Sequence, residues 1–281
     1  MNLMNFIKMH GLGNDFVMVN LMQEELPGDL AALARKVCHR HYGIGADGMI
    51  LILPSEQADV KMRIINSDGS EAEMCGNGIR CLAKLVYEYK LVQTPFITVE
   101  TLAGIMGTEV ILDAGDQVQG IKVDMGEPRL LPESVPVLLP GKQAVAQGLN
   151  VDGNRVEVTA VSMGNPHCVI FVPDAAAAPV TTLGPILEKH PAFPAKTNVE
   201  FVEIINPGEV KMRIWERGAQ ETMACGTGAC AVIVAGVLNN KTQREAVVHL
   251  KGGDLKIHWA DNNHVFMTGP AVVVFEGRYF L

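Results

Sequence analysis

Val60-Lys61-Met62-Arg63-Ile64 recurs as Val210-Lys211-Met212-Arg213-Ile214, 150 residues further along the chain. Held at that shift without a gap, Glu71 meets Glu221, Cys75 meets Cys225, Gly76 meets Gly226 and Gly78 meets Gly228. Nine of nineteen positions are then identical, too many in one register for chance, so the sequence reads as two copies of one domain. At a shift of 151, Gly13-Asn14 meets Gly164-Asn165, each ahead of an apolar run. A period this long excludes a solenoid repeat. It agrees with the 281-residue length, which suggests about two domains at ~150 residues each.

Short runs rich in β-branched residues surround the repeat and predict strands. In the first copy they are Phe16–Asn20, Met49–Leu53, Lys61–Ile65, Phe96–Glu100, Thr108–Leu112 and Gln119–Asp124. In the second they are Val156–Ser162, Cys168–Val172, Val199–Ile204, Glu209–Trp215, Ala246–Leu250, Leu255–Trp259 and Val265–Gly269. Helices are predicted over Leu30–Arg40, Gly78–Lys90, Thr182–Lys189 and Gly228–Leu238. The last is apolar all round, the mark of a helix enclosed on every side. The Pro-rich stretch Glu127–Gly141 reads as a loop. The expected fold is α+β: two pseudo-symmetric domains, each a mostly antiparallel sheet curled around a central buried helix.

In both copies the order is strand, polar turn, Cys-Gly-x-Gly, buried helix. Cys75 and Cys225 therefore sit at helix N-termini, where unpaired N–H groups and the helix dipole favour negative charge. A thiol so placed is expected to have a lowered pKa. The neighbouring glycines let a ligand approach the backbone, and the N–H groups there can hold a carboxylate. Two such thiols facing one cleft suggest inversion of a stereocentre: one thiolate removes a proton from carbon, and the opposite thiol returns one. The residues alone also admit a Cys75–Cys225 disulfide or a packing role for both.

The other four cysteines, Cys38, Cys81, Cys168 and Cys230, read as small buried hydrophobes. No Cys-x-x-Cys occurs, and Cys75/Cys81 and Cys225/Cys230 are six and five residues apart, which excludes one shared helix face for a metal. Asn residues beside Gly or Asp, such as Asn66, are ordinarily turn formers. His167 reads equally well as a core histidine, and Arg63 and Arg213 as partners of nearby carboxylates. Gly43-Ile-Gly45-Ala-Asp-Gly48 matches G-x-G-x-x-G, but it follows a helix and precedes a strand, the reverse of a dinucleotide site.

With these motifs in view the chain resembles the diaminopimelate epimerase family along essentially its whole length. The resemblance lies in K-M-H-G-L-G-N-D-F (Lys8–Phe16), G-I-G-A-D-G (Gly43–Gly48), N-S-D-G-S-E-A-E-M-C-G-N-G-I-R (Asn66–Arg80), G-N-P-H-C-V (Gly164–Val169), T-N-V-E-F (Thr197–Phe201) and E-R-G-A-Q-E-T-M-A-C-G-T-G (Glu216–Gly228). It implies interconversion of LL- and meso-diaminopimelate in lysine and peptidoglycan precursor synthesis, with no pyridoxal phosphate, no metal and no other cofactor. It also implies a homodimer, and two similar domains spanning 1–118 plus 271–281 and 119–270. Cys75 and Cys225 would be the acid–base pair, each tuned by one of His167 and Glu216. Gly76, Asn77, Gly226 and Thr227 would cradle the α-carboxylate. Asn14, Asn66, Asn165, Asn198, Glu216 and Arg217 would complete the substrate pocket. One departure stands out: some family members carry Gln where this chain has Gly48, which offers no side chain.

Proline and hydroxyproline racemases use a related paired-cysteine design, but their first motif reads M-C-G-H where this chain has Met74-Cys75-Gly76-Asn77, and their second has Pro where this chain has Ala224. A thiol-based redox or binding protein is the rival outside catalysis. Composition narrows the field further. The chain is 48% hydrophobic and 19% charged, which excludes a disordered protein. A net charge of −8 with no Lys/Arg run argues against nucleic-acid or membrane-surface partners. The apolar run Ala229–Leu238 is far below the ~20 residues that span a bilayer. Met1–Phe16 lacks a signal-peptide pattern, so a cytoplasmic protein is expected.

Overall fold

A computed structural model describes residues 3–23, 26 and 28–281. The chain divides into two compact units, Met1–Val123 with Thr268–Leu281, and Asp124–Met267.

The first unit opens with an antiparallel hairpin of Leu3–Gly11 and Asn14–Asn20. Asn14–Asn20 runs parallel to Gly48–Leu53, which pairs antiparallel with Val60–Asn66. That strand runs parallel to Phe96–Thr101, and antiparallel Gly104–Leu112 and Val118–Asp124 follow. The second unit repeats the scheme. Asn154–Ser162 and Pro166–Phe171 form the hairpin, Asn198–Asn206 adds in parallel, and Glu209–Glu216 adds antiparallel. Glu245–Leu250 then joins in parallel and Gly253–Trp259 antiparallel. Each sheet is thus mostly antiparallel with two parallel joins, an α+β architecture built twice.

The helices are α1 (Leu30–Val37), α2 (Gly76–Glu88), α3 (Val180–Glu188) and α4 (Gly226–Leu238). Within its own unit α2 packs against Leu3–Gly11, Asn14–Asn20, Gly48–Leu53, Val60–Asn66 and Gly104–Leu112, and α4 packs in the second against Asn154–Ser162, Pro166–Phe171, Asn198–Asn206, Glu245–Leu250 and Gly253–Trp259. Every α4 residue from Gly228 to Gly236 is buried, which is why its sequence shows no polar face. On the opposite face of the sheets, α1 covers Val17, Val19, Met49 and Leu51, and α3 covers Val199 and Phe201. Strand side chains alternate between faces. Met49 and Leu51 therefore enter the α1 core while Ile50 turns to α2, and burial on both faces explains the unbroken apolar run Met49–Leu53.

Besides the two-residue strands Glu71–Ala72 and Gln220–Glu221, three longer strands fall outside the expected set: Leu3–Gly11, Gln147–Val151 and Val272–Phe280. Lys8 interrupts the apolar alternation of the first, yet it is buried, 2.6 Å from Asp15 and donating to the Gly45 carbonyl. Val272–Phe280 is half exposed and joins the sheet through Leu3–Gly11, so alternation hardly marks it. α1 stops at Val37, three residues before the expected Arg40, because Ile44 and Gly45 turn back to donate to the Val37 carbonyl. Arg40 instead reaches Asp15 (2.9 Å) and Asp47 (2.7 Å).

Gly184 of α3 lies against the strand that ends at Glu216. A Cβ there would stand 2.6 Å from Trp215 Cβ and 2.7 Å from its Cγ, atoms too close to the backbone to give way. Gly184→Ala is therefore expected to destabilise the protein by about 1–3 kcal/mol through overpacking, despite alanine's better helix propensity. A lower urea midpoint with unchanged slope is the expected result.

Candidate active site

Each copy builds its polar site from a glycine turn and a helix start. Gly13 and Gly164 take φ values of 85° and 97°, in the left-handed region that glycine favours. These turns present Asn14 and Asn165 at equivalent places. The two central helices begin two residues earlier than the sequence suggests, so that Cys75 and Cys225 are themselves the N-caps, with extended backbone.

In the first unit Cys75 is partly exposed. Its sulfur accepts the Gly78 N–H at 3.4 Å, and its thiol donates to Asn14 Oδ1 at 3.6 Å. Asn77 Nδ2 donates to the same oxygen at 3.2 Å, while Asn14 Nδ2 donates to Asp47 at 2.7 Å. Arg80, fully buried, donates to the Gly76 carbonyl (3.0 Å) and to Asn77 Oδ1 (2.9 Å). Asn14, Cys75, Gly76 and Asn77 therefore form one hydrogen-bonded group. Asn66 is placed otherwise: its amide donates to Ser70 Oγ at 3.0 Å within the turn that follows its strand. Gly48 pairs with Asn66, and a Cβ there would stand 3.1 Å from the Ile65 carbonyl oxygen. At the equivalent place the second unit carries Asn198.

In the second unit Cys225 is buried, with Thr227 Oγ1 3.5 Å from its sulfur. Asn198 accepts the Arg217 N–H at 2.8 Å and donates to the Pro166 carbonyl at 3.1 Å. The Arg217 guanidinium donates to the Ala195 carbonyl at 3.0 Å, and Glu216 accepts the Thr222 hydroxyl. Glu188 anchors this turn, accepting from Trp215 Nε1 (2.7 Å) and the Gly218 N–H (3.3 Å). His167, fully buried, meets Glu200 through Nδ1 at 2.6 Å and Asn165 through Nε2 at 3.0 Å. Beside the sites, Arg63 pairs with Glu71 (2.7 Å) and Arg213 with Glu221 (2.8 Å), repeated ion pairs that tie each strand to the turn before its cysteine.

The expected lowering of both thiol pKa values is reversed at Cys225. Burial first, then the carboxylates of Glu216 and Glu200, push this thiol well above the ordinary range. Burial pushes Cys38 up to about 11 and Cys81 up to about 12, and raises Cys168 well above the usual value, in keeping with inert packing thiols. Among the described residues no three His, Cys, Asp or Glu side chains gather as a metal site, and no helix is long and apolar enough to cross a membrane.

A family model described as diaminopimelate epimerase matches residues 6–131 and 159–274, covering both copies of the duplicated motif. The chain belongs to the diaminopimelate epimerase family. Diaminopimelate epimerase of Moorella thermoacetica is 58% identical over 277 residues, 98% of this chain and 99% of that one. That of Heliobacterium modesticaldum is 60% identical over 278 residues, with the same coverage of 98% and 99%. Among solved structures, the Bacillus anthracis phenazine biosynthesis protein of the PhzF family matches with a TM-score of 0.74 at 16% identity, both chains being covered in full. That likeness is one of fold. As a diaminopimelate epimerase family member, the chain is an isomerase.

Five residues that touch the family motifs' side chains escaped the sequence reading: Asp47, Arg80, Glu188, Glu200 and Thr222. Arg80 had a signal, a charge in an otherwise apolar helix, while Asp47, Glu200 and Thr222 lay inside the quoted motifs without being singled out. Glu188 carried none. Asp15 beside Asn14 offers a direct check of the electrostatics. Burial raises its carboxyl, but hydrogen bonds and charge from Arg40 and Lys8 outweigh this and hold it at about 2, against an ordinary 3.8. A depressed folded-state pKa stabilises above the unfolded value and is lost as pH falls through the folded one. Stability is therefore expected to fall between about pH 4 and pH 2, and Asp15→Asn to flatten that interval in acid-dependent urea melts.

Proposed function

We propose that the chain interconverts LL- and meso-diaminopimelate in the cytoplasm by moving one proton at an α-carbon, with Cys75 and Cys225 as the two proton carriers and no cofactor. The observation that carries this reading is the repeated placement of a cysteine as N-cap of an enclosed helix, once in each copy. One sulfur, as thiolate, takes the α-proton and becomes a thiol. The other, as thiol, gives its proton to the opposite face of the carbon and becomes a thiolate, so the substrate is inverted and charge is conserved.

The α-proton of an amino acid is weakly acidic, so charge developing on the α-carboxylate needs preorganised donors. The first-turn N–H groups of a helix have no intrahelical acceptor and point outward along the dipole. Gly76 and Asn77 in α2, with Gly226 and Thr227 in α4, supply them in water-excluding surroundings. Asn14, Asn66, Asn165, Asn198, Glu216 and Arg217 receive the remaining amino and carboxylate groups, while His167 and Glu216 tune the sulfurs. This is more polar capacity than one small amino acid can use, which favours a substrate with two charged ends. A buried polar group left unpaired costs ~1–3 kcal/mol, so proline and lysine are disfavoured.

Incubation with LL-diaminopimelate in D2O tests the reading. Wild type is expected to exchange the α-hydrogen for deuterium while converting the isomer, with little or no exchange into L-proline or lysine. Cys75→Ala and Cys225→Ala should each lose conversion by at least about 10²–10⁴-fold with folding retained, since each removes one acid or base. Arg217→Met, similar in bulk but without donors, should lower turnover severely. Substantial conversion by either cysteine variant, or comparable rates on proline, would overturn the assignment.

A homodimer belongs to the same proposal. Val272, Val274, Phe275 and Phe280 of the last strand are exposed apolar side chains, a composition suited to a subunit contact. Sedimentation equilibrium is expected to return twice the 30.3 kDa chain mass; a monomer at micromolar concentration would refute this part.

A further inference from the structure

The two copies differ beneath their cysteine helices. In the first, a Cβ on Gly78 would meet Ile50 Cδ1 at 2.7 Å and Phe16 Cζ at 3.6 Å, both apolar. In the second, a Cβ on Gly228 would meet Glu200 Oε1 and Ile214 Cδ1, each at 3.0 Å. The strand registers make these places equivalent. Ile50 lies opposite Ile64 as Glu200 lies opposite Ile214, and Phe16 occupies the hairpin place that His167 occupies in the second unit. An apolar Phe–Ile pair in one copy is thus a His–Glu pair in the other.

A buried pair of polar side chains is rarely better for stability than apolar packing of similar volume, and the first unit shows that such packing fits beneath this type of helix. Glu200 is also incompletely satisfied. It is fully buried, Oε1 meets His167, and Oε2 takes no hydrogen bond from the described residues. Stability gives no account of a carboxyl in this position.

We propose that Glu200 is a positioning residue that makes the two thiols unequal: it anchors His167 and places negative charge under the first turn of α4, holding Cys225 in its protonated form. The groups facing it are His167 and Cys168 from Pro166–Phe171, Glu216 from Glu209–Glu216, and Cys225 from α4. Burial raises the Glu200 carboxyl above the ordinary range, and the charge and hydrogen bond of His167 work against that rise to keep it ionised. The helix dipole at the α4 start favours a thiolate; the Glu200 and Glu216 carboxylates oppose it, and only Glu216 accepts a hydroxyl of its own, from Thr222. No carboxyl occupies the equivalent place in the first unit, where Ile50 sits. The inference deepens the epimerase reading and rests on it for its purpose, but its test does not require turnover.

The test follows alkylation of Cys225 by iodoacetamide against pH, by peptide mass spectrometry, with Cys75 as internal reference. Glu200→Gln keeps the side chain's size and removes its charge. Its Cys225 profile is expected to move down by about one pH unit, so that the rate at pH 8 rises about tenfold, while the Cys75 profile stays in place. A double variant, His167→Phe with Glu200→Ile, imports the pair that the first unit already packs and is expected to move the Cys225 profile the same way. It provides the measurement if Glu200→Gln does not fold. A Cys225 profile unchanged in either folded variant would reduce Glu200 to a structural role and overturn the proposal. A shifted profile in a protein that exchanges no α-deuterium would uphold the Glu200 effect and sink the epimerase reading instead.

Discussion

A helix enclosed on all sides has one place where its backbone remains chemically active, the first turn, whose N–H groups lack partners. The fold builds one such turn in each unit, at Cys75 and at Cys225. Gly78 and Gly228 are required because the sheet floor stands within 2.7 Å and 3.0 Å of where a side chain would begin. Cysteine at the N-cap takes the position that Ser, Thr, Asp or Asn ordinarily fills, exchanging a strong cap for a nucleophilic and ionisable one. In the first unit the sulfur still caps weakly, through Gly78.

Holding that turn steady takes long-range polar contacts. Arg80 reaches back to the Gly76 carbonyl and Asn77, Asn77 reaches Asn14, and Asn14 is held by Asp47, which Arg40 pairs in turn. In the second unit Glu188 pins Trp215 and Gly218 on either side of Glu216-Arg217, and Asn198 holds the Arg217 backbone. Apart from the repeated Arg63–Glu71 and Arg213–Glu221 pairs, these supporting residues are unlike in the two copies although the strands and helices they support are alike. Duplication preserved the frame, where backbone hydrogen bonds and apolar volume decide, and let most of the charged supports diverge.

That divergence bears on the proposed chemistry. Symmetric thiols would share one protonation state, whereas the two-base inversion proposed above needs one sulfur with a proton and one without. Cys225, enclosed and flanked by the Glu216 and Glu200 carboxylates, is suited to keep its proton, whereas Cys75 is partly exposed and donates to Asn14.

The sequence by itself determined the duplication, the α+β class, the buried central helices and the cysteines at their starts. Those features are written in local periodicity, glycine spacing and self-similarity, which need no knowledge of distant partners. It left Leu3–Gly11 unseen because Lys8 breaks the apolar pattern, and Val272–Phe280 because a half-exposed edge strand leaves little alternation to read. Only the tertiary structure decided that Lys8 and Arg80 are buried, that Asp47 holds Asn14, that Glu200 lies beneath α4, and that the Cys225 thiol is raised where a helix start alone would lower it. The reason is physical: a helix terminus acts locally and is legible from sequence, whereas desolvation and the charges that share a buried volume come from strands tens of residues apart, and their sum exists only once the chain has closed around them.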